Sequence, residues 1–70
     1  MSAGKVNWFS DAKGYGFIES AEDQRDVFVH YSDISGDGLR SLDEGAAVEF
    51  ELEPGTQGDR ARNVVRVQEA

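Results

Sequence analysis

Apolar and polar side chains alternate with period two along much of this chain. The clearest run is Val48-Glu49-Phe50-Glu51-Leu52-Glu53, in which three apolar side chains take one face of an extended segment and three carboxylates the other. Val27-Phe28-Val29-His30 and Tyr15-Gly16-Phe17-Ile18 carry similar patterns. Clusters of turn-forming residues punctuate the chain at 11–14, 21–25, 35–38 and 54–59. Together these signals predict strands over 4–9, 15–20, 26–30, 46–53 and 61–68, a spacing that reads as an all-β barrel or sandwich. The stretch 31–45 is too irregular for a strand; a single helical turn is expected at 32–34, with Leu39 and Leu42 tucked under the barrel. With 70 residues and no repeat or linker, one domain spanning 1–70 is expected.

Two segments break the alternation. If Val6 points inward, strict parity sends Trp8 inward with it and puts Asn7 and Phe9 outside, so a bulge or strong twist is expected there, bringing Trp8 and Phe9 to the edge of the outer face. Near the C-terminus Val64, Val65 and Val67 cannot all share one face, which leaves the register of that strand open.

The two central runs are unusual in what their second face carries. Tyr15 and Phe17 share one side of their strand, and Phe28 and His30 one side of theirs, while Ile18, Val27 and Val29 already supply an aliphatic core side. Six of the seven aromatic residues lie within 8–31. A face of rings turned to water marks a binding surface. Flat rings beside Lys13 suit the flat bases and charged backbone of a single-stranded nucleic acid. Phe50, isolated from this group, is expected in the core.

Net charge runs against the usual nucleic-acid binder, at -7 from 14 acidic and seven basic side chains. Much of the acid sits in the second half, on the alternating Glu49, Glu51 and Glu53 and in the turn at Asp43 and Glu44. Lys5, Lys13, Arg60 and Arg62 are candidates to gather near the rings, although Glu19, Glu22, Asp23 and Asp26 interrupt the link between the two central strands. Binding is therefore expected to rest more on stacking than on charge. Five Arg against two Lys and the acidic excess also resemble the surfaces of proteins from salt-loaded cytoplasms; ordinary solubility charge is the plainer reading. The absence of cysteine removes disulfide and thiolate chemistry and fits a reducing compartment. No stretch approaches the roughly 20 apolar residues needed to span a bilayer and the start lacks a secretion signal, so a cytoplasmic protein with no membrane partner is expected.

From Gly4-Lys5-Val6-Asn7-Trp8-Phe9 through Lys13-Gly14-Tyr15-Gly16-Phe17-Ile18 and Val27-Phe28-Val29-His30-Tyr31 to Asn63-Val64, the chain resembles the bacterial cold-shock proteins and the cold-shock domain of Y-box proteins. The resemblance implies a five-stranded antiparallel Greek-key barrel of the OB-fold class. It also implies binding of single-stranded RNA or DNA, often pyrimidine-rich, and an RNA-chaperone role. Carried onto this sequence, it assigns stacking to Trp8, Phe17, Phe28, His30 and Tyr31, with Phe9 and Tyr15 at the edges, a backbone contact to Lys13 and a base-edge hydrogen bond to Asp26. Arg60 and Arg62 stand close to Gln57 and Asp59, where the family usually has a basic residue and a proline. Asn7 replaces a frequent lysine, Leu39 a frequent stacking phenylalanine and Ser10 a common asparagine, and the segment 21–25 is about one residue longer than usual. Weaker binding than that of a more basic relative is the expectation. A monomer is the simpler expectation for a closed barrel with a strongly like-charged surface.

Three rival readings compete with this one. Asp33-Ile34-Ser35-Gly36-Asp37-Gly38 with Glu44 fits the ligand spacing of a calcium loop over 33–44, but such loops need flanking helices, and Arg40 stands where an aliphatic belongs. A protein-interaction barrel without nucleic-acid binding is the second. Enzymatic readings are weakest: one histidine and no cysteine leave no usual zinc set, and the serines compete for His30 without an oriented base. No catalytic residue, metal or cofactor is expected.

Overall fold

The computed structural model describes residues 1–35, 41–56 and 58–67. Strands β1 (Ser2–Ser10), β2 (Tyr15–Ser20), β3 (Asp26–His30), β4 (Ala47–Glu53) and β5 (Arg60–Arg66) close into a barrel in the order β1-β2-β3-β5-β4, with β1 pairing β4 to complete the ring. All neighbours are antiparallel except β3 and β5, which run parallel and pair at Phe28 and Arg60. A 3-10 turn over Tyr31–Asp33 follows β3 directly, one residue earlier than the turn expected at 32–34. β2 and β3 coincide with the expected strands. β1 is longer than expected because Ser2 and Ala3 pair with Phe50 and Glu49, and β5 begins at Arg60 because that residue pairs with Glu53. Gln68, placed at the end of the last predicted strand, lies outside the described residues, as do Leu39, Gln57 and the central part of the proposed calcium loop.

The core is the inward half of the alternation: Val6, Ile18, Val27, Val29, Val48, Phe50, Ala61 and Val64, capped by Ile34 and by Leu42, which does tuck beneath the barrel. Phe50 is fully buried at its centre. Burying side chains of this size contributes about 1.5–3 kcal/mol each, and with no cysteine to form a disulfide the barrel depends on that packing.

Both breaks in parity are bulges. Between Val6 and Trp8 the β1–β2 register shifts, so that Val6 faces Ile18 and Trp8 faces Phe17. The extra residue, Asn7, lets Val6 stay inside while Trp8 turns to the outer face. Phe9 is half-buried like Trp8: it packs partly against the core and also lines an open depression with Lys13, Gly14 and Tyr31. In β5 the shift lies opposite Glu49 to Glu51, where Asn63 takes the left-handed conformation at φ 51° and hydrogen-bonds Glu51 through its amide at 3.0 Å. Asparagine tolerates that region better than most residues. The valine conflict is thereby resolved, with Val64 buried and Val65 and Val67 exposed.

Two glycines set the geometry of the β1–β2 hairpin. Gly14 closes its turn at φ +77°, with its amide donating to the Ser10 carbonyl at 2.7 Å. Gly16 lies under the bulge: a Cβ there would run into the Trp8 carbonyl oxygen and come within 2.7 Å of Phe9 Cα. β1 can approach β2 this closely only because Gly16 has no side chain.

Candidate nucleic-acid interface

The outer faces of β1, β2 and β3 stand in register. One cross-strand row is Ser10, Tyr15 and His30; the next is Trp8, Phe17 and Phe28; a third is Lys5, Glu19 and Asp26. Because facing side chains on adjacent strands come within about 5 Å, the first two rows form a continuous sheet of rings. Trp8 meets Tyr15 edge-on and Phe17 at a tilt, both at 5.7 Å between centroids. Phe28 lies stacked with Tyr15 at 5.8 Å and edge-on to Phe17 at 5.9 Å. His30 and Tyr31 form a second pair at 4.5 Å.

These rings are neither core nor free. Trp8, Tyr15, Phe17, Phe28 and His30 are half-buried by one another and Tyr31 is 47% exposed, so each is braced while one face stays open to solvent. The His30 ring is fixed further. Its Nδ1 accepts the Ser32 backbone N–H at 3.3 Å and lies 2.9 Å from the Ser32 hydroxyl. Accepting at Nδ1 places the ring proton of the neutral form on Nε2, which makes that atom a donor.

Two open depressions flank the rings. One, about 480 Å³, lies between Phe9, Lys13, Gly14 and Tyr31; the other, about 550 Å³, lies between Phe17, Phe28, Arg60 and the 54–59 loop. Lys13 is exposed at the hairpin turn and its backbone amide is held by the Ser10 hydroxyl at 3.2 Å. Asp26 is exposed at the end of the third row, next to Glu19. Arg60 reaches the second depression as half of an ion pair: its Nε donates to Asp33 Oδ2 at 3.0 Å and its NH2 to Oδ1 at 3.3 Å. The hydrogen bond to Asp33, and then the attraction of its charge, push the guanidinium above its ordinary basicity. Arg62 is paired as well, with Asp33 at 3.2 Å and Glu53 at 3.0 Å. Lys5 stands a row away from the rings, opposite Glu19.

Asp33 is the residue whose role sequence reasoning missed. As the first ligand of a calcium loop it would need to be available, but it is buried between two arginines and also accepts the His30 backbone N–H at 3.3 Å. It is preceded by a strand and this short turn, not by a helix, and no cluster of metal-ligating side chains occurs among the described residues. The local signal was the spacing of His30 and Asp33, three residues apart across the start of the turn, where each side chain accepts a backbone N–H of the turn.

A small closed barrel with a half-open face of rings is the architecture of OB-type oligonucleotide-binding modules. Residues 2–67 match the family described as the 'Cold-shock' DNA-binding domain. The chain is 58% identical over 64 residues to the cold shock-like protein CspE of Bacillus anthracis, covering 91% of this chain and 94% of that protein. It is 52% identical to the cold shock protein CspB of Geobacillus stearothermophilus and 54% identical to CspA of Staphylococcus aureus, in both cases over 96% of this chain and all of the relative. The chain belongs to the cold-shock domain family. In fold it superposes on a structure described as drosophila Unr CSD456 with a TM-score of 0.78 at 19% identity, covering 96% of this chain and 26% of that longer one.

Proposed function

We propose that this cold-shock domain binds single-stranded RNA or DNA by stacking unpaired bases on Trp8, Phe17, Phe28, His30 and Tyr31, and that it acts as an RNA chaperone. The observation that carries this reading is the braced two-row face of rings, open on its solvent side. Each stacked base contributes on the order of 1–3 kcal/mol, and any base can be accepted because every base has a flat face. Such faces are hidden in a duplex, so the domain draws structured RNA toward its unpaired form by mass action, without fuel or hydrolysis. Tyr15 and Phe9 support the edges, Lys13 and Arg60 meet the backbone, and Asp26 accepts from a base edge. Pyrimidine-rich strands fit best where Phe28 and His30 leave room for a small ring. The stretch 1–70 works as one unit and as a monomer in the cytoplasm; among the described residues no helix is long and apolar enough to cross a membrane.

The test is a fluorescence titration of Trp8 with a thymine-rich oligonucleotide at low and high potassium chloride, with the matching duplex as control. Quenching by the single strand alone, retained at high salt, is expected. No quenching at either salt by a folded protein refutes the stacking function and favours a protein partner for the ring face.

A further inference from the structure

β3 and β5 pair at Phe28 and Arg60, and the chains next meet where Ile34 bridges Val64. The 3-10 turn occupies the intervening stretch of chain, and its last residue, Asp33, has a side chain only 3% exposed. A carboxylate so buried is costly unless its oxygens are paired. Here Oδ1 takes Arg60 NH2 and Arg62 Nε, and Oδ2 takes Arg60 Nε and the His30 backbone N–H. One oxygen thus joins the start of β5 to the residue from which the His30–Tyr31 ring pair begins. Phe28 lies between the two. Arg60 pairs beside it across the β3–β5 seam, and His30 follows it two residues along the same face. Arg60 spends one edge of its guanidinium on Asp33, while its NH1 has no acceptor among the described residues.

We propose that Asp33 is a positioning residue of the nucleic-acid face. Its buried carboxylate holds Arg60 beside Phe28 with the NH1 end left for a phosphate, and holds the His30–Tyr31 pair on the other flank, so that a stacked base and its backbone meet a prearranged cation. This rests on the stacking function proposed above and assigns a part of it to a residue that touches no ligand.

Positioning and plain electrostatics predict opposite outcomes for Asp33→Asn. The substitution removes a negative charge beside two arginines. If only charge counted, binding would tighten and the plot of log affinity against log salt would steepen, by up to about 0.7 for one more phosphate neutralised on a single strand. If Asp33 positions Arg60, affinity for a thymine-rich oligonucleotide falls roughly three- to tenfold at every salt, the net contribution of about one ordinary hydrogen bond, and the slope does not steepen. The loss should shrink when Asp33→Asn is made on top of Arg60→Gln, because only the His30 backbone contact is then left for residue 33 to hold. Thermal unfolding of each variant confirms that the barrel is intact at the titration temperature. Should Asp33→Asn fail to fold, Arg60→Lys carries the test, since it keeps the charge and loses the two-pronged edge; a comparable loss at unchanged slope is expected, and unchanged affinity overturns the proposal. A wild-type protein that ignores the oligonucleotide refutes the stacking function itself. A wild type that binds, with Asp33→Asn binding equally or more tightly, refutes the role of Asp33 alone.

Discussion

Phe28 and Val29 are consecutive in β3 and point to opposite sides of the barrel wall, so truncating each in turn separates binding from folding. Phe28 touches Tyr15 and Phe17 at 5.8 and 5.9 Å. Each such ring pair contributes about 0.5–1.5 kcal/mol, so Phe28→Ala should lower stability by about 1–3 kcal/mol. The same truncation removes a stacking platform, at a further cost of about 1–3 kcal/mol in binding, or roughly five- to 150-fold in affinity. Val29 is fully buried and takes no part in the ring face. Val29→Ala deletes the equivalent of two buried methylenes, about 1.6 kcal/mol in transfer alone, plus a term for the cavity left behind. Stability should therefore fall by a similar amount in both variants, while affinity falls only in Phe28→Ala. Thermal or urea unfolding followed at Trp8 supplies the first quantity, and oligonucleotide titration well below both midpoints the second. Equal affinity losses in the two variants would refute the assignment of faces, because binding would then be reporting general loosening of the barrel. So would a Phe28→Ala protein that binds like wild type.

Two further substitutions test the hairpin that carries Trp8. Gly16→Ala places a Cβ against the Trp8 carbonyl and Phe9 Cα; it should destabilise by about 1–3 kcal/mol as an overpacking change, and reduced Trp8 quenching by oligonucleotide should accompany the lowered melting temperature. Lys13→Gln leaves the turn intact, because the hydroxyl of Ser10 holds the backbone amide of residue 13 and not its side chain; its melting curve should be unchanged and its salt slope shallower by about 0.7.

What could be read from the chain depended on how far each contact reached. β2 and β3 were placed to the residue because their alternation is unbroken and turns bound them. β1 and β5 were blurred because each carries an extra residue, and one bulge flips the parity of everything beyond it. The conflict between Val6 and Trp8 was enough to demand a bulge, but not to show that Phe9 would also lean partly against the core. In β5 the sign was Asn63 itself, a residue that tolerates left-handed backbone, found at φ 51°. The ring face was legible because its members are local, three strands joined by two short turns. The Asp33–Arg60 pair was not, because its partners are 27 residues apart and meet only through the parallel β3–β5 seam. The spacing of His30 and Asp33 marks the cap of the short turn, but nothing in it shows that the carboxylate is also shared by two arginines.

The placement of charge explains how a chain of net charge -7 can keep such a face. Glu51 and Glu53 on β4 are answered by Asn63 and Arg62 on the neighbouring strand, so part of the acid is spent within the β4–β5 sheet and away from the ring rows. On the face itself the carboxylates Glu19 and Asp26 form a row of their own beyond Phe17 and Phe28, with Lys5 facing Glu19. The cations belonging to the rings stand elsewhere, Lys13 beside Tyr31 and Arg60 beside Phe28. A phosphate backbone laid on this surface is repelled by the acidic row and attracted at the two flanks. For the binding proposed above, the favourable path would therefore run across the ring rows between Lys13 and Arg60, and not along β2 toward Glu19. Repulsion of this kind acts on phosphates and not on stacked bases, and it weakens as the screening length falls from about 8 Å at physiological ionic strength to about 3 Å at 1 M. Added salt thus removes some of the repulsion from the acidic row along with some of the attraction at Lys13 and Arg60. For the proposed binding mode the two changes act on the affinity in opposite directions, and the stacking contribution is the part that salt does not screen.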